Sequence, residues 1–195
     1  MLNRLVLALF GFLILTACQD YKVVSIKDFR IYADTQDPNL QHAIEVLAKR
    51  YNSEIGFHTL SIVRNPADSN SKISFVSGLH NDGHKLGLGQ WVATKSQDTK
   101  LTIQGESSTE TVAYAMEIEF DKENFANKAA AIDNAKSNEA QHLYHLFCHE
   151  VGHGLQMDHS QAYDSVMYPT IPDSPTRYIN YPAYFTQARS FMNSH

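Results

Sequence analysis

Hydrophobic and polar residues alternate, or recur at helical spacing, in separate stretches of the chain, and each stretch predicts an element. Residues 21–33 alternate as a half-buried strand does, and residues 38–52, opened by Asp37-Pro38, repeat hydrophobic positions at helical spacing. Further strands are predicted where short β-branched and aromatic runs are separated by turn-rich pieces. These runs are 56–63, 72–77, 90–94 and 111–120.

Two more helices are predicted in the last third of the chain. A strongly periodic stretch covers residues 138–155, with Asn138 and Gln141 as its capping pair, and an amphipathic stretch covers residues 181–192. Residues 124–138 are rich in Ala and Asn and fit either a loop or a partial helix. No repeat, linker or second domain is visible. The pattern therefore predicts one α+β domain with a twisted sheet of about five strands, two long helices and a C-terminal third helix.

The first residues have the pattern of an export signal. One cation, Arg4, precedes an apolar run at residues 5–15, which is short for a membrane span and suits a signal-peptide core. The sequence LTAC at residues 15–18 resembles the lipobox of bacterial lipoproteins, in which the signal is cut before an acylated cysteine. Residues 1–17 are therefore predicted to be a lipoprotein signal peptide, with Cys18 as the lipid attachment site. An ordinary signal peptide or an uncleaved anchor is the alternative.

Composition and charge limit the partners of residues 18–195, which are predicted to form a single domain. The chain of 195 residues has a formal net charge of −5 and no basic run that could neutralise a phosphate backbone, which excludes nucleic acid. Acylation of Cys18 would leave Cys148 as the remaining thiol, so no internal disulfide is predicted. The lipobox implies an exported protein anchored to the membrane of a bacterial cell envelope. Gln19, in place of a retaining aspartate, favours the outer membrane.

The helix predicted over residues 138–155 has two faces with different chemistry. An apolar stripe faces the core and consists of Tyr144, Phe147, Cys148, Val151 and Leu155, so Cys148 is predicted to be a buried packing residue. His149 and His153 lie on another face, one turn apart, where two imidazoles can share one zinc ion. Glu150 projects from the adjoining face towards a metal-activated water, so it suits the general base of amide hydrolysis.

A third histidine and a methionine extend this motif. His159 follows His153 by six residues, and SVMYP at residues 165–169 places Met167 next to a proline-bearing turn. Together, HEVGHGLQMDHS and SVMYP resemble the long zinc signature and the Met-turn of the metzincin endopeptidases, most closely those of the matrixin branch. The predicted order of strands and helices is also similar to that of a matrixin catalytic domain.

The resemblance implies a zinc-dependent endopeptidase that acts on protein or peptide substrates. The implied ligands of one catalytic zinc ion are His149, His153 and His159. By the same resemblance, Glu150 is the general base and Met167 forms the floor beneath the metal. Residues 90–94 would be the substrate-binding edge strand, with Trp91 at either the core or the rim. Residues 169–171 would form the wall of the pocket for the side chain just after the cut.

Three features depart from the family pattern. Gln156 stands where the family has glycine to turn the chain, so a residue with positive φ is predicted there, at a cost on the order of 1 kcal/mol. Ile171 stands where tyrosine is usual, which changes the pocket wall. Few residues separate Cys18 from the first strand, too few for an inhibitory pro-segment. Control is therefore predicted to depend on export, metal supply or an unknown inhibitor protein.

Other histidines are given lesser roles. His142 is predicted to be solvated, and His145 to lie either at the surface or behind a metal ligand. The loop 78–89 contains three residues that partly match the structural zinc site of many matrixins, namely His80, Asp82 and His84. A polar turn is the favoured interpretation of this loop, and a second metal site, for structural zinc or calcium, is the alternative.

Two functions of other classes compete with proteolysis. The first is a catalytically silent, zinc-bearing binding or adhesion lipoprotein that keeps the fold without turnover. Glu150 argues against it, because proton transfer is the evident use of a carboxylate in that position. The second is a metal-carrier lipoprotein, which would hold weak, exchangeable zinc at several sites.

Overall fold

The structure is a computed structural model that describes residues 20–79, 86–102, 105–171 and 178–194. Six strands are assigned within these ranges: β1 (Asp20–Ile26), β2 (Phe29–Asp34), β3 (Leu60–Val63), β4 (Ser71–Val76), β5 (Gly87–Thr102) and β6 (Gly105–Asp121). The helices are α1 (Pro38–Ile55), α2 (Lys122–Ala129), α3 (Asn138–Gly154) and α4 (Tyr181–Asn193). The predicted α+β class is confirmed, with one strand more than expected.

The described strands form one mixed sheet in which β6 is central. The order β1-β6-β4-β2-β3 is parallel throughout, whereas β5 pairs antiparallel with β6. β1 pairs with residues 107–113 of β6, and β4 pairs with residues 117–121. Since β5 pairs with β6 along residues 105–120, β1 and β4 share the opposite edge of β6. β5 is therefore an edge strand, as the resemblance implied for residues 90–94.

The strand predicted over residues 21–33 is two strands, because its neighbour changes midway. β1 lies beside β6, whereas β2 lies between β3 and β4. The change occurs at Lys27 and Asp28, after which β4 separates the chain from β6. Hydrophobic alternation continues through both strands, so it does not reveal where the partner changes.

Local capping sets the helix boundaries, and two of them differ from the prediction. Gly56, with φ 92°, caps α1 and turns the chain, so residues 57–59 are not part of a strand and β3 begins only at Leu60. Ser137, in place of Asn138, caps α3, because its side chain accepts the Ala140 N–H at 3.1 Å. Residues 122–129 form α2, which overlaps the first part of the stretch 124–138 where a loop or partial helix was predicted.

The core lies between the helices and the face of β6 that carries Met116, Ile118 and Phe120. The predicted apolar stripe of α3 is buried, and Cys148 is confirmed as a packing residue whose thiol pKa is raised by burial. Tyr184 of α4 donates its hydroxyl to the Cys148 carbonyl oxygen at 2.6 Å, which ties α4 to α3. Among the described residues, no helix is long and apolar enough to cross a membrane.

Candidate metal centre

Three imidazoles meet beside the C-terminal part of α3. His149 and His153 lie one turn apart on the helix, and their Nε2 atoms are 3.2 Å apart. The ring of His159, in the following loop, lies with its centroid 5.3 Å from that of His149 and 4.8 Å from that of His153. One nitrogen from each ring lies within 4.8 Å of the other two. The fold thus brings together the three histidines that the sequence predicts as zinc ligands.

Backbone carbonyls fix the tautomers of two of these rings. His149 Nδ1 donates to the Val166 oxygen at 2.8 Å, and His153 Nδ1 donates to the Met157 oxygen at 2.9 Å. Burial lowers the pKa of His149 to about 4 and lowers that of His153, so both rings are neutral at pH 7. Each Nε2 atom therefore carries a lone pair, and two lone pairs at this separation repel each other. A shared cation would remove the repulsion, so the donor set fits a zinc ion.

The chain turns from α3 towards His159 through a residue with positive φ. Gln156 has φ 61° and is the one non-glycine residue with positive φ in the described ranges, which confirms the predicted conformation. The Met157 N–H donates to the Gly152 oxygen at 2.9 Å, and the Gln156 N–H to the His153 oxygen at 3.0 Å. These two bonds form a Schellman motif, which holds the third histidine close to the first two.

The segment around Met167 packs against the same helix. A Cβ atom at Gly152 would lie only 2.4 Å from Met167 Sδ, so the bare glycine allows the buried methionine to approach α3 closely. The Met167 oxygen accepts the Ser160 N–H at 2.8 Å. Met167 therefore joins the loop that carries His159 to the helix that carries the other two histidines.

Glu150 is buried beside the histidines and faces β5. The Gly89 N–H donates to its carboxylate, and only 4% of the residue is exposed. A Cβ atom at Gly87 would lie 2.5 Å from Glu150 Oε1, and one at Gly89 would lie 2.3 Å from the Glu150 carbonyl oxygen. The two glycines therefore allow the edge strand to reach the helix. Burial, partly offset by the hydrogen bond from Gly89, raises the pKa of Glu150 to about 8.

Gly87 and Gly89 were not predicted as site residues from the sequence, because the strand predicted at residues 90–94 begins after them. A signal was present: glycine inside a strand often marks a close backbone approach. The run GLGQWVA, read as one strand, would have placed two such positions next to the metal centre.

A cleft of about 340 Å³ opens next to the three histidines. Its lining comprises Leu86–Leu88, Leu146, His149, Glu150, His153, His159 and Pro169–Ile171. Residues 169–171 thus line the cleft, where the resemblance places a pocket wall. Trp91 lines a neighbouring hollow, and 42% of the surface of this residue is exposed. It therefore belongs to the rim and not to the core.

The prediction that His142 is solvated was wrong, and of the two positions predicted for His145 the surface one was wrong. They are only 3% and 5% exposed, because neighbouring segments cover α3 on the histidine face as well as on the apolar stripe. His145 Nε2 lies 3.3 Å from the Val166 oxygen, the same atom that accepts the bond from His149. The alternative prediction, that His145 lies behind a metal ligand, agrees with this contact.

Replacing His145 by phenylalanine should weaken zinc binding about tenfold. The change keeps a buried ring and removes one of two N–H donors that hold the Val166 oxygen, which orients His149. Competition with a chromophoric chelator measures the zinc affinity. His142→Phe is the matched control, since it alters a buried histidine of the same helix and should change the affinity less. Equal affinities for the two variants would contradict this role of His145.

The second predicted metal site lies outside the described residues, as do the signal segment and its lipid attachment site. His80, Asp82 and His84 fall between the described ranges that end at residue 79 and begin at residue 86. Residues 1–17 and Cys18 precede the first described residue. These assignments therefore stay predictions.

Comparison with known proteins agrees with the resemblance that the motifs carry. The family model described as matrixin, of peptidase family M10, matches residues 20–182. The matched range contains the whole described sheet, the three histidines and the Met167 turn. No curated protein matches the sequence. Because the family model covers most of the chain, the protein belongs to the matrixin family of zinc metallopeptidases.

Proposed function

We propose that this chain is a zinc-dependent endopeptidase in which His149, His153 and His159 hold the metal and Glu150 is the general base. Family membership identifies a zinc metallopeptidase in general terms. One observation carries the finer assignment: a buried carboxylate lies next to three imidazoles gathered within 4.8 Å. Burying a carboxylate costs free energy, and a proton-transfer role would explain why it is retained there.

Each residue of the proposed site has a role in peptide hydrolysis. Zinc bound by the three histidines would supply Lewis acidity, which polarises the scissile carbonyl and acidifies a water molecule. Zinc bound at the histidines would lower the pKa of Glu150, which is about 8 in the metal-free chain, and so keep the carboxylate ionised. Glu150 then accepts the proton of the attacking water and returns it to the amine that leaves. The Gly89 N–H keeps the carboxylate in place for both transfers. A substrate strand would lie between β5 and residues 169–171, which line the cleft.

The proposed activity can be tested with the purified protein loaded with zinc. A denatured proteome is digested with and without a chelator, and new N-termini are identified by mass spectrometry. We expect many cleavages, their loss in the chelator and their return when zinc is restored. One tightly bound zinc ion without any cleavage would favour the silent binding lipoprotein. Weak zinc at several sites would favour the metal carrier.

We also propose that the protein is exported and anchored by lipid at Cys18 to the bacterial envelope, at the outer membrane. The LTAC sequence at residues 15–18 supports this proposal. Labelled palmitate should be incorporated into the wild-type chain and not into a Cys18→Ala variant. A wild-type chain that takes up no label would refute the lipid anchor and leave the peptidase proposal intact.

A further inference from the structure

A three-stranded piece of the sheet, here called the ribbon, lies at the end of β5 that is farthest from the metal centre. It consists of β1, residues 105–113 of β6 and residues 94–102 of β5, because β1 and β5 pair with opposite sides of the same part of β6. Among the described residues, β1 packs chiefly against β6, and no helix makes a comparable contact with it. The helices therefore leave the outer end of the ribbon, around Tyr21 and Leu101, uncovered.

Three large apolar side chains share one face at this outer end. Residues that pair across neighbouring strands point to the same face, and so do alternate residues of one strand. By the registers of β1 and β5 on β6, Tyr21, Val23 and Leu101 lie on the same face, here called the tip face. The Tyr21 hydroxyl donates to Glu110 Oε2 at 2.6 Å, so the side chain of Tyr21 reaches across to β6 on this face.

The two faces of the outer ribbon differ in polarity. The face opposite the tip face carries Lys22, Asp98 and Lys100, all of them exposed. In the described part of the chain, five large hydrophobic residues are more than half exposed, and three of these form the tip face, whereas the other two lie outside the sheet. Single exposed apolar residues are common on folded proteins. A group of them on one face of an amphipathic element indicates contact with an apolar partner.

The start of β1 lies close to the proposed lipid anchor. Cys18 precedes Asp20 by two residues, and an extended chain spans at most about 3.6 Å per residue, so the acylated residue lies within roughly 7 Å of the strand. Asp20 pairs with Ser107, which also pairs with the residue of β5 before Leu101. A bilayer that holds the lipid therefore lies next to the tip face. An uncleaved apolar run at residues 5–15 would bring a membrane to the same end of the ribbon.

The side chains of the outer ribbon suit the interface between lipid and water. Tyrosine is enriched at this interface, because its ring is apolar and its hydroxyl needs a polar partner, which Glu110 supplies for Tyr21. The described side chains of the ribbon include three lysines and three acids, and Lys95 is paired with Glu110 at 3.4 Å. The ribbon thus has no cationic surface that would attract anionic headgroups. Contact with lipid would come from the burial of apolar side chains.

We propose that the tip face is a membrane-contact surface, which places Tyr21, Val23 and Leu101 in the interface of the bilayer that holds the lipid anchor. The proposal rests on the proposed anchor at Cys18 and does not depend on peptidase activity. The lipid fixes one point of the chain near the bilayer, whereas the tip face fixes the orientation of the domain relative to it.

The contact would hold the metal centre away from the membrane. Helix α4 stands on the same side of the sheet as the tip face, since Phe191 packs against Tyr114 with ring centroids 5.6 Å apart. The ribbon therefore cannot lie flat on the bilayer, and β5 leads away from it. Gly89, next to Glu150, is 12 residues from Leu101 in β5, which corresponds to about 40 Å along the strand.

Fluorescent labels on single cysteines test the contact in the full-length, lipid-bearing protein. Cys148 is buried and acylation occupies Cys18, so an introduced thiol is labelled selectively. The test position is Leu101→Cys, and the control is Val92→Cys, an exposed apolar residue of the same strand about 30 Å away. In phosphatidylcholine vesicles that contain a quencher-bearing lipid, we expect fluorescence to be lost at Leu101→Cys and retained at Val92→Cys. Iodide in the water should quench the second label and spare the first.

Two double variants separate apolar contact from attraction between charges. The label is placed at Thr99→Cys, an exposed position on the tip face. Tyr21→Ser with Leu101→Ser removes apolar surface, and quenching by the lipid should be lost. Lys22→Ser with Lys100→Ser removes charge from the opposite face and should leave the quenching unchanged, as should the addition of anionic phosphatidylglycerol to the vesicles.

The outcomes separate the tip face from the lipid anchor. Iodide quenching of both labels, or lipid quenching that is lost in the lysine variant, would overturn the proposal. Protection of Leu101→Cys from iodide without quenching by lipid would assign the tip face to a second copy of the chain and would also overturn it. A wild-type chain that takes up no palmitate refutes the anchor alone. The labelled chain is then added to the same vesicles, where lipid quenching at Leu101→Cys still supports the tip face and its absence contradicts it.

Discussion

The zinc-loaded Glu150→Gln variant is expected to cleave peptides about 10²–10⁴-fold more slowly than the wild type. Glutamine keeps the shape of the side chain and can still accept the Gly89 N–H, but it cannot take a proton from the attacking water. The zinc content should not change, because Glu150 is not among the three grouped imidazole residues. Initial rates on a fluorogenic peptide and metal analysis of the same samples measure both quantities.

An exposed carboxylate on the same helix supplies the control for this variant. Glu139→Gln removes a charge from the first turn of α3, far along the helix from the cleft, and should cleave peptides like the wild type. Cleavage by Glu150→Gln at the rate of Glu139→Gln would remove Glu150 from the mechanism. Loss of zinc from Glu150→Gln would instead indicate a role in holding the site together.

Without metal, the same Glu150→Gln variant is expected to be more stable than the wild type at pH 8, by about 2 kcal/mol or more. The cause is the pKa of Glu150, which burial raises to about 8 in the folded chain from an ordinary value of 4.5. Between these values the folded chain binds more protons than the unfolded chain, so stability falls as pH rises. Glutamine has no charge to bury and escapes this penalty.

Thermal unfolding in a chelator measures the effect across pH. The advantage of Glu150→Gln should be absent below about pH 4.5, grow with rising pH and reach a Tm difference of roughly 4–8 °C at pH 8. His149 acts in the opposite direction, since its lowered pKa makes both proteins less stable as pH falls from 6.5 towards 4. This contribution cancels in the comparison of the two proteins. A difference in Tm that does not depend on pH would refute the buried-charge explanation.

The metal centre could be predicted from the sequence because its geometry is mostly local. Helical periodicity fixes the separation of His149 and His153, and it separates them from the apolar stripe that contains Cys148. The positive φ of Gln156 was predicted from the resemblance, because the family has glycine at the position where the chain turns towards His159. These features depend on neighbouring residues and not on the rest of the fold.

Features that depend on distant segments could not be predicted in the same way. The burial of His142 and His145 arises from packing of segments far along the chain against a helix face that looks polar in sequence. The length of β5 was missed because residues 95–101 are exposed in the folded chain and mostly polar, so no hydrophobic alternation marks them. Hydrophobic periodicity indicates which residues are buried. It does not detect a strand that is held only by backbone hydrogen bonds to a neighbouring strand.

The parallel pairing of β1 with β6 has a consequence for the order in which the chain can fold. Asp20 pairs with Ser107, and Ile26 pairs with Ala113, so the first strand has no place in the sheet until the ribosome has passed the midpoint of the chain. Closing so long a loop is slow, and pairing between distant segments forms late. Residues 20–26 therefore lack their partner strand until more than half of the chain has been made. If the protein is exported as proposed, this topology would leave β1 without its partner strand while the first half of the chain crosses the membrane.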